Sequence, residues 1–197
     1  TEYSVGGIVG QMAGDEIKDC ENSGEIIGTN EVYYVAGIVG RAKKITIKGC
    51  NNSGNITSEE KNEQSLCGGI AGLLQDSSSQ VISCVNTGMV TAKGRYTGGV
   101  VGLVNISSTV QDCYNTGNVT GENYVGGVVG VAVNIVTKCY NTGTIVSKGI
   151  GGTGGIVGTC TSKPQDISLC FNAGTVQAPE DAGGISGYLG AQGYAAK

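Results

Sequence analysis

The sequence predicts an all-β parallel β-solenoid of about six to seven coils, and three observations lead there. A box of the form Cys-x-Asn-[Ser/Thr/Ala]-Gly-x-[Ile/Val] returns six times, beginning at Cys20, Cys50, Cys84, Cys113, Cys139 and Cys170, with a mean period of 30 residues. A second box, Gly-Gly-[Ile/Val]-x-Gly, alternates with it in seven copies, one of which carries Ala36 in place of its first glycine. Between the boxes lie short β-branched runs such as Ile45-Thr46-Ile47 and Gly127-Val128-Val129, and no window sustains an apolar face of period 3.6. A fixed period of this length marks a solenoid, propeller or array. A propeller blade of the Trp-Asp type is longer and needs tryptophan, which is absent, and no leucine frame suits a leucine-rich repeat.

Taken in chain order, each coil opens with the glycine box, whose Ile or Val (Ile8, Ile38, Ile70, Val100, Val128, Ile156, Ile185) forms a first inward column. A second column stands three residues before each cysteine: Ile17, Ile47, Val81, Val110, Val136 and Ile167. The Cys box follows. Its asparagines, Asn22, Asn52, Asn86, Asn115, Asn141 and Asn172, read as an amide ladder, and the Asn-x-Gly step reads as a turn through the left-handed region. A third inward column lies six residues after each cysteine: Ile26, Ile56, Val90, Val119, Ile145 and Val176. Loop length varies after that, as in the charged stretch 58–64, so coil-specific features belong on that edge. Residues 1–197 thus read as one repetitive domain. Because Thr1 opens in mid-pattern, the chain is expected to be part of a larger polypeptide, with that polypeptide's other domains among its partners.

Composition narrows the chemistry. There is no histidine, which removes the Ser-His-Asp triad, the Cys-His dyad and the zinc-peptidase motif from these residues. A net charge of −4 and a pI near 4.8 give no footprint for nucleic acid. No apolar stretch approaches the roughly 18 residues of a membrane span. Carboxylates such as Asp19, Asp112 and Glu122 are scattered over different coils, and Arg41 and Arg95 lack an obvious neighbouring acid. Asparagines without companion aspartates do not make a calcium site. No cofactor is expected.

Eight cysteines allow disulfides, but the six of the repeat share one structural position. Cys67 and Cys160 likewise fall in columns that are otherwise mostly apolar, so buried free thiols are expected, with bridging as the alternative. Two aromatic columns read as structural stacking that shields the rod, with a binding strip for sugar rings or a protein partner as the alternative. Tyr114, Tyr140 and Phe171 directly follow their cysteines, and Tyr34, Tyr96 and Tyr124 precede their glycine boxes by two residues. The rank Ser23, Ser53, Thr87, Thr116, Thr142, Ala173 raises an ice-binding face, but it is too mixed for a lattice match.

The glycine box Gly-Gly-Val-Val-Gly (126–130), with Cys-Tyr-Asn-Thr-Gly-Asn-Val (113–119) and Cys-Tyr-Asn-Thr-Gly-Thr-Ile (139–145), resembles the GLUG repeat of bacterial surface and secreted proteins. That family includes adhesin-like proteins and the repeat region beside the catalytic domain of IgA1-specific zinc metallopeptidases. The resemblance extends from Gly6 to Gly187 and implies an extracellular or cell-surface β-solenoid within a larger chain. It carries over no protease activity, since the zinc motif needs histidine. The expectation is a non-catalytic structural or adhesive module, a spacer or a binder of host glycan or glycoprotein. The alternatives are a glycan-active β-helix enzyme and an accessory repeat region of an IgA1-protease-like metallopeptidase.

Overall fold

The computed structural model describes residues 2–29, 31–75, 78–161 and 167–190. Regular structure in them is entirely β, in 32 short strands. One coil gives the order: Leu66–Gly68, Ala71–Gln75, Gln80–Ile82, Val85–Asn86 and Val90–Ala92. These strands enter five parallel sheets, numbered 1 to 5 here in that order, with seven strands in sheets 1 and 2 and six in the others. Within each sheet every inner strand pairs with its equivalents one coil before and one coil after, and the two end strands with one, which is the expected parallel β-solenoid. Among the described residues no helix is long and apolar enough to cross a membrane.

The columns stack as the repeat dictates. Ile17, Ile47, Val81, Val110, Val136 and Ile167 pair in register through sheet 3, and Ile26, Ile56, Val90, Val119, Ile145 and Val176 through sheet 5. The glycine-box residues Ile38, Ile70, Val100, Val128 and Ile156 are fully buried. The interior, however, consists of two apolar lobes. One holds the glycine-box and sheet-3 columns with most of the repeat cysteines, and the other holds Val35, Cys67 and Val125 with the sheet-5 column.

Chain order explains the division. Each coil leaves the second lobe at its glycine pair and re-enters it at Asn-x-Gly, so these two motifs meet at a waist. A Cβ on Gly99 would lie 2.5 Å from Cγ of Asn115, and one on Gly127 would lie 2.6 Å from Cγ of Asn141. The second glycine of the box therefore leaves room for the asparagine opposite.

The turn chemistry differs from the sequence reading. The left-handed residue that recurs at the Cys box is the one preceding the cysteine: Asp19 (φ 53°), Gly49 (62°), Ser83 (54°), Asp112 (53°), Lys138 (52°) and Leu169 (54°). Neither the asparagine nor the glycine of Asn-x-Gly has positive φ. That glycine is required by close stacking instead, since a Cβ on Gly88 would stand 2.0 Å from the carbonyl oxygen of Gly54.

Candidate functional site

In sheet 1, Val35, Cys67 and Thr97 point inward, so their predecessors Tyr34, Leu66 and Tyr96, which are in register, point outward. In sheet 2 the inward residues Ala42, Leu74 and Val104 leave Arg41, Leu73 and Leu103 outward, also in register. These outward residues are nevertheless covered: Tyr34 is 5 %, Leu66 3 % and Leu73 7 % exposed. The outer faces of sheets 1 and 2 turn toward each other across the glycine bend and form a third apolar cluster, against which Tyr33, Tyr96 and Leu103 pack. Asn62, Glu63 and Gln64, from the variable loop, close one side. The result is a groove of about 500 Å³, adjoining a second hollow of about 380 Å³ that also carries Arg95, Asn62 and Glu63.

Two arginines lie along it on aromatic rings. The Arg41 guanidinium carbon is 5.4 Å from the Tyr34 ring centroid, its Nε donates to Oε1 of Gln75 at 2.5 Å, and its Nη1 is 3.1 Å from the Glu2 carboxylate. Arg95 lies against two adjoining rings, 5.3 Å from the centroid of Tyr96 and 5.2 Å from that of Tyr124, with Nη1 3.3 Å from Glu63. Tyr124 has φ 48°, an uncommon backbone for tyrosine, and its ring closes to 5.4 Å from that of Tyr96. Burial, reinforced by Glu2, pushes the Tyr34 phenol up to about 12, and burial also raises Tyr96. The hydrogen bond with Tyr124 raises the Arg95 guanidinium further, so its charge is permanent.

Two expectations change here. Arg41 and Arg95 do have acidic neighbours, Glu2 and Glu63, which are remote in sequence and adjacent in space. Tyr34 is a floor residue covered by Arg41, so it holds the arginine and offers no free ring face. Of that aromatic column, Tyr96 and Tyr124 remain partly exposed at the groove.

The other aromatic column lies along sheet 4. Tyr114 and Tyr140 stack with centroids 4.6 Å apart and planes 4° apart, and Phe171 continues the register at 62 % exposure. The scattered acids stay scattered. Asp19 and Asp112 occupy left-handed corners of different coils, and Glu122 uses its backbone carbonyl to accept from Ser147. The rank Ser23 to Ala173 is exposed, with Ser53 and Thr87 donating back to the carbonyls of Asn22 and Asn52.

The ladders are structural. Each asparagine Nδ2 donates to the carbonyl of its own Asn-x-Gly glycine, and from Asn22 to Asn141 it donates also to Oδ1 of the next asparagine at 2.7–2.9 Å. None of the eight cysteines is in a disulfide. All six repeat thiols donate to the carbonyl two residues earlier at 3.1–3.4 Å, across the left-handed corner. Cys20 and Cys170 are partly exposed and the other six are buried. Thiol titration of the folded chain is therefore expected to reach Cys20 and Cys170 first, and the buried six after unfolding without reductant. Two or fewer thiols in denaturant would contradict this.

Burial pushes the Cys67 thiol from 9.0 up to about 12. The folded state then holds this proton more tightly than the unfolded chain does. Its contribution to stability is complete below about pH 9 and is lost as pH rises through about 12. Cys67→Val, the residue of the neighbouring Val35 position, is expected to flatten the alkaline limb of the urea-stability profile, and an unchanged limb would contradict the assignment.

No protein-family model matches the chain, and neither a curated protein nor a solved structure matches it.

Proposed function

We propose that this chain is a non-catalytic rod of a bacterial cell-surface or secreted protein, which spaces and binds, with a host glycan or glycoprotein as its partner. The observation that carries the reading is the groove, in which two permanently charged guanidinium groups rest on tyrosines beside amide side chains. Such a lining recognises polar ligands. Its nearest carboxylates, Glu2 and Glu63, are each engaged by an arginine, which suits binding better than proton transfer. The GLUG-like boxes support the extracellular setting and membership of a larger polypeptide.

The purified chain is expected to retain host glycoprotein on a sensor surface and to leave immunoglobulin and polysaccharides intact. Turnover that disappears in Glu63→Gln or Asp112→Asn would overturn the non-enzymatic reading in favour of glycan chemistry by a β-helix enzyme.

A further inference from the structure

The groove has a charge character opposite to that of the whole chain. Arg41, Lys61, Lys93 and Arg95 line the two hollows against two carboxylates, Glu2 and Glu63, whereas the chain carries a net charge of −4. An anionic ligand therefore meets a local excess of positive charge, four cationic side chains against two carboxylates.

Its chemistry is constrained further. The walls come from successive coils, so the groove runs along the rod, and the backbone groups beneath it are already paired coil to coil in parallel ladders. No strand edge lies open along its length, so an extended peptide cannot dock here by adding a strand. Recognition rests on side chains: the parts of the Tyr96 and Tyr124 rings that stay exposed beside Arg95, and the planar polar groups of Asn62, Gln64 and Gln75. Rings stack on the apolar face of a sugar, while amides and guanidinium groups hydrogen-bond its hydroxyls. The coil rise of about 4.8 Å is comparable with the length of one pyranose unit, so consecutive sugars meet consecutive coils.

Arg95 supplies the anchor. Its planar fork fits a carboxylate, and the carboxylate it now holds belongs to Glu63, a side chain 87 % exposed and therefore weakly retained. The uncommon backbone of Tyr124 places a second ring on this guanidinium and leaves it little freedom to leave.

We infer that the groove binds an acidic oligosaccharide, with a sugar carboxylate replacing Glu63 on Arg95 and the sugar ring seated against Tyr96 and Tyr124. This rests on the binding-rod reading and names its ligand class.

Isothermal titration of the folded chain tests it with four probes: an oligogalacturonate, its methyl ester, sialyllactose and poly-glutamate. The galacturonate and sialyllactose arms separate a uronate chain from a terminal sialic acid. At least one of these two is expected to bind about tenfold or more tightly than the methyl ester and poly-glutamate, with affinity falling as salt rises. Arg95→Gln is expected to lower that affinity about tenfold or more, Arg95→Lys to lower it less, and Glu63→Gln to raise it. Phe171→Ser, on the opposite aromatic strip, is expected to leave it unchanged, and thermal melts confirm that each variant is folded. Equal binding of the methyl ester or poly-glutamate, or an unchanged affinity in both Arg95 variants, overturns the inference. Failure of all four probes while host glycoprotein is still captured overturns it and leaves the binding rod standing. Failure to capture either overturns both.

Discussion

Gly117→Ala is expected to destabilise the rod by about 4 kcal/mol, near the upper end for a single substitution. An added Cβ would stand 2.0 Å from the carbonyl oxygen of Gly88 and 2.7 Å from its carbonyl carbon. Both obstacles are backbone, so no side-chain rotation relieves them. Gly54, Gly88, Gly143 and Gly174 each face the preceding coil at the same 2.0 Å, so separating two coils here disturbs a column that continues above and below. Relief would have to come from stretching the ladders on either side. With total stabilities of roughly 5–15 kcal/mol typical of folded domains, a large part of the urea midpoint should disappear. Gly14→Ala provides the comparison: nothing stands within 4 Å of its Cβ position and φ is +79°, so a cost of about 1 kcal/mol is expected from backbone conformation alone. If Gly117→Ala cost no more than Gly14→Ala, the close stacking of coils would be wrong.

Asn115→Ala is expected to cost a similar amount, about 4 kcal/mol, for a different reason. This fully buried side chain donates to the carbonyl of Gly117 at 2.7 Å and to Oδ1 of Asn141 at 2.8 Å, and it accepts from Nδ2 of Asn86 at 2.7 Å. Removing it leaves the Gly117 carbonyl and one Nδ2 hydrogen of Asn86 unsatisfied at the waist between the lobes, each worth about 1–3 kcal/mol, while Asn141 Oδ1 keeps the Gly143 N–H at 3.2 Å. Asn115→Asp should be worse at neutral pH, because it substitutes a buried charge and removes both donors. Burial raises the pKa of such a carboxyl, so the variant should regain stability as pH falls and a protonated oxygen again donates. Asn22→Ala, at one end of the ladder, removes fewer bonds and should cost less. Chemical denaturation of the variants between pH 4 and pH 8 checks the order.

The repeat made the stacked columns legible because parallel in-register pairing turns one-dimensional periodicity directly into neighbours. Ile47, Val81 and Val110 are three residues before a cysteine in sequence and one above another in sheet 3. The asparagine ladder followed from the same logic. The left-handed corner did not, since Asp19, Gly49, Ser83, Asp112, Lys138 and Leu169 share a backbone conformation and no side-chain chemistry. Their signal lies in the thiol that follows, which turns back to bond the carbonyl before the corner. The Asn-x-Gly glycine looked like a turn residue because contact across coils leaves the same mark in a sequence as positive φ does.

The groove was legible only in its parts. Both arginines and all three tyrosines stood out, but their assembly depends on a bend that turns the outer faces of sheets 1 and 2 together, and on the 58–64 loop carrying Glu63 to Arg95. That pairing spans 32 residues and follows no repeated spacing, so periodicity could not find it.

The most direct test of the account is an NMR titration of the isotope-labelled chain with the tightest of the acidic oligosaccharides, observing backbone amides together with the arginine Nε–H signals. The shifts are expected to be confined to the groove, centred on Arg95, Tyr96 and Tyr124 and extending toward Arg41, with a new slowly exchanging Arg95 Nε–H as the sugar carboxylate displaces Glu63. Shifts centred instead on Tyr114, Tyr140 and Phe171, with the Arg95 signal unmoved, would contradict it.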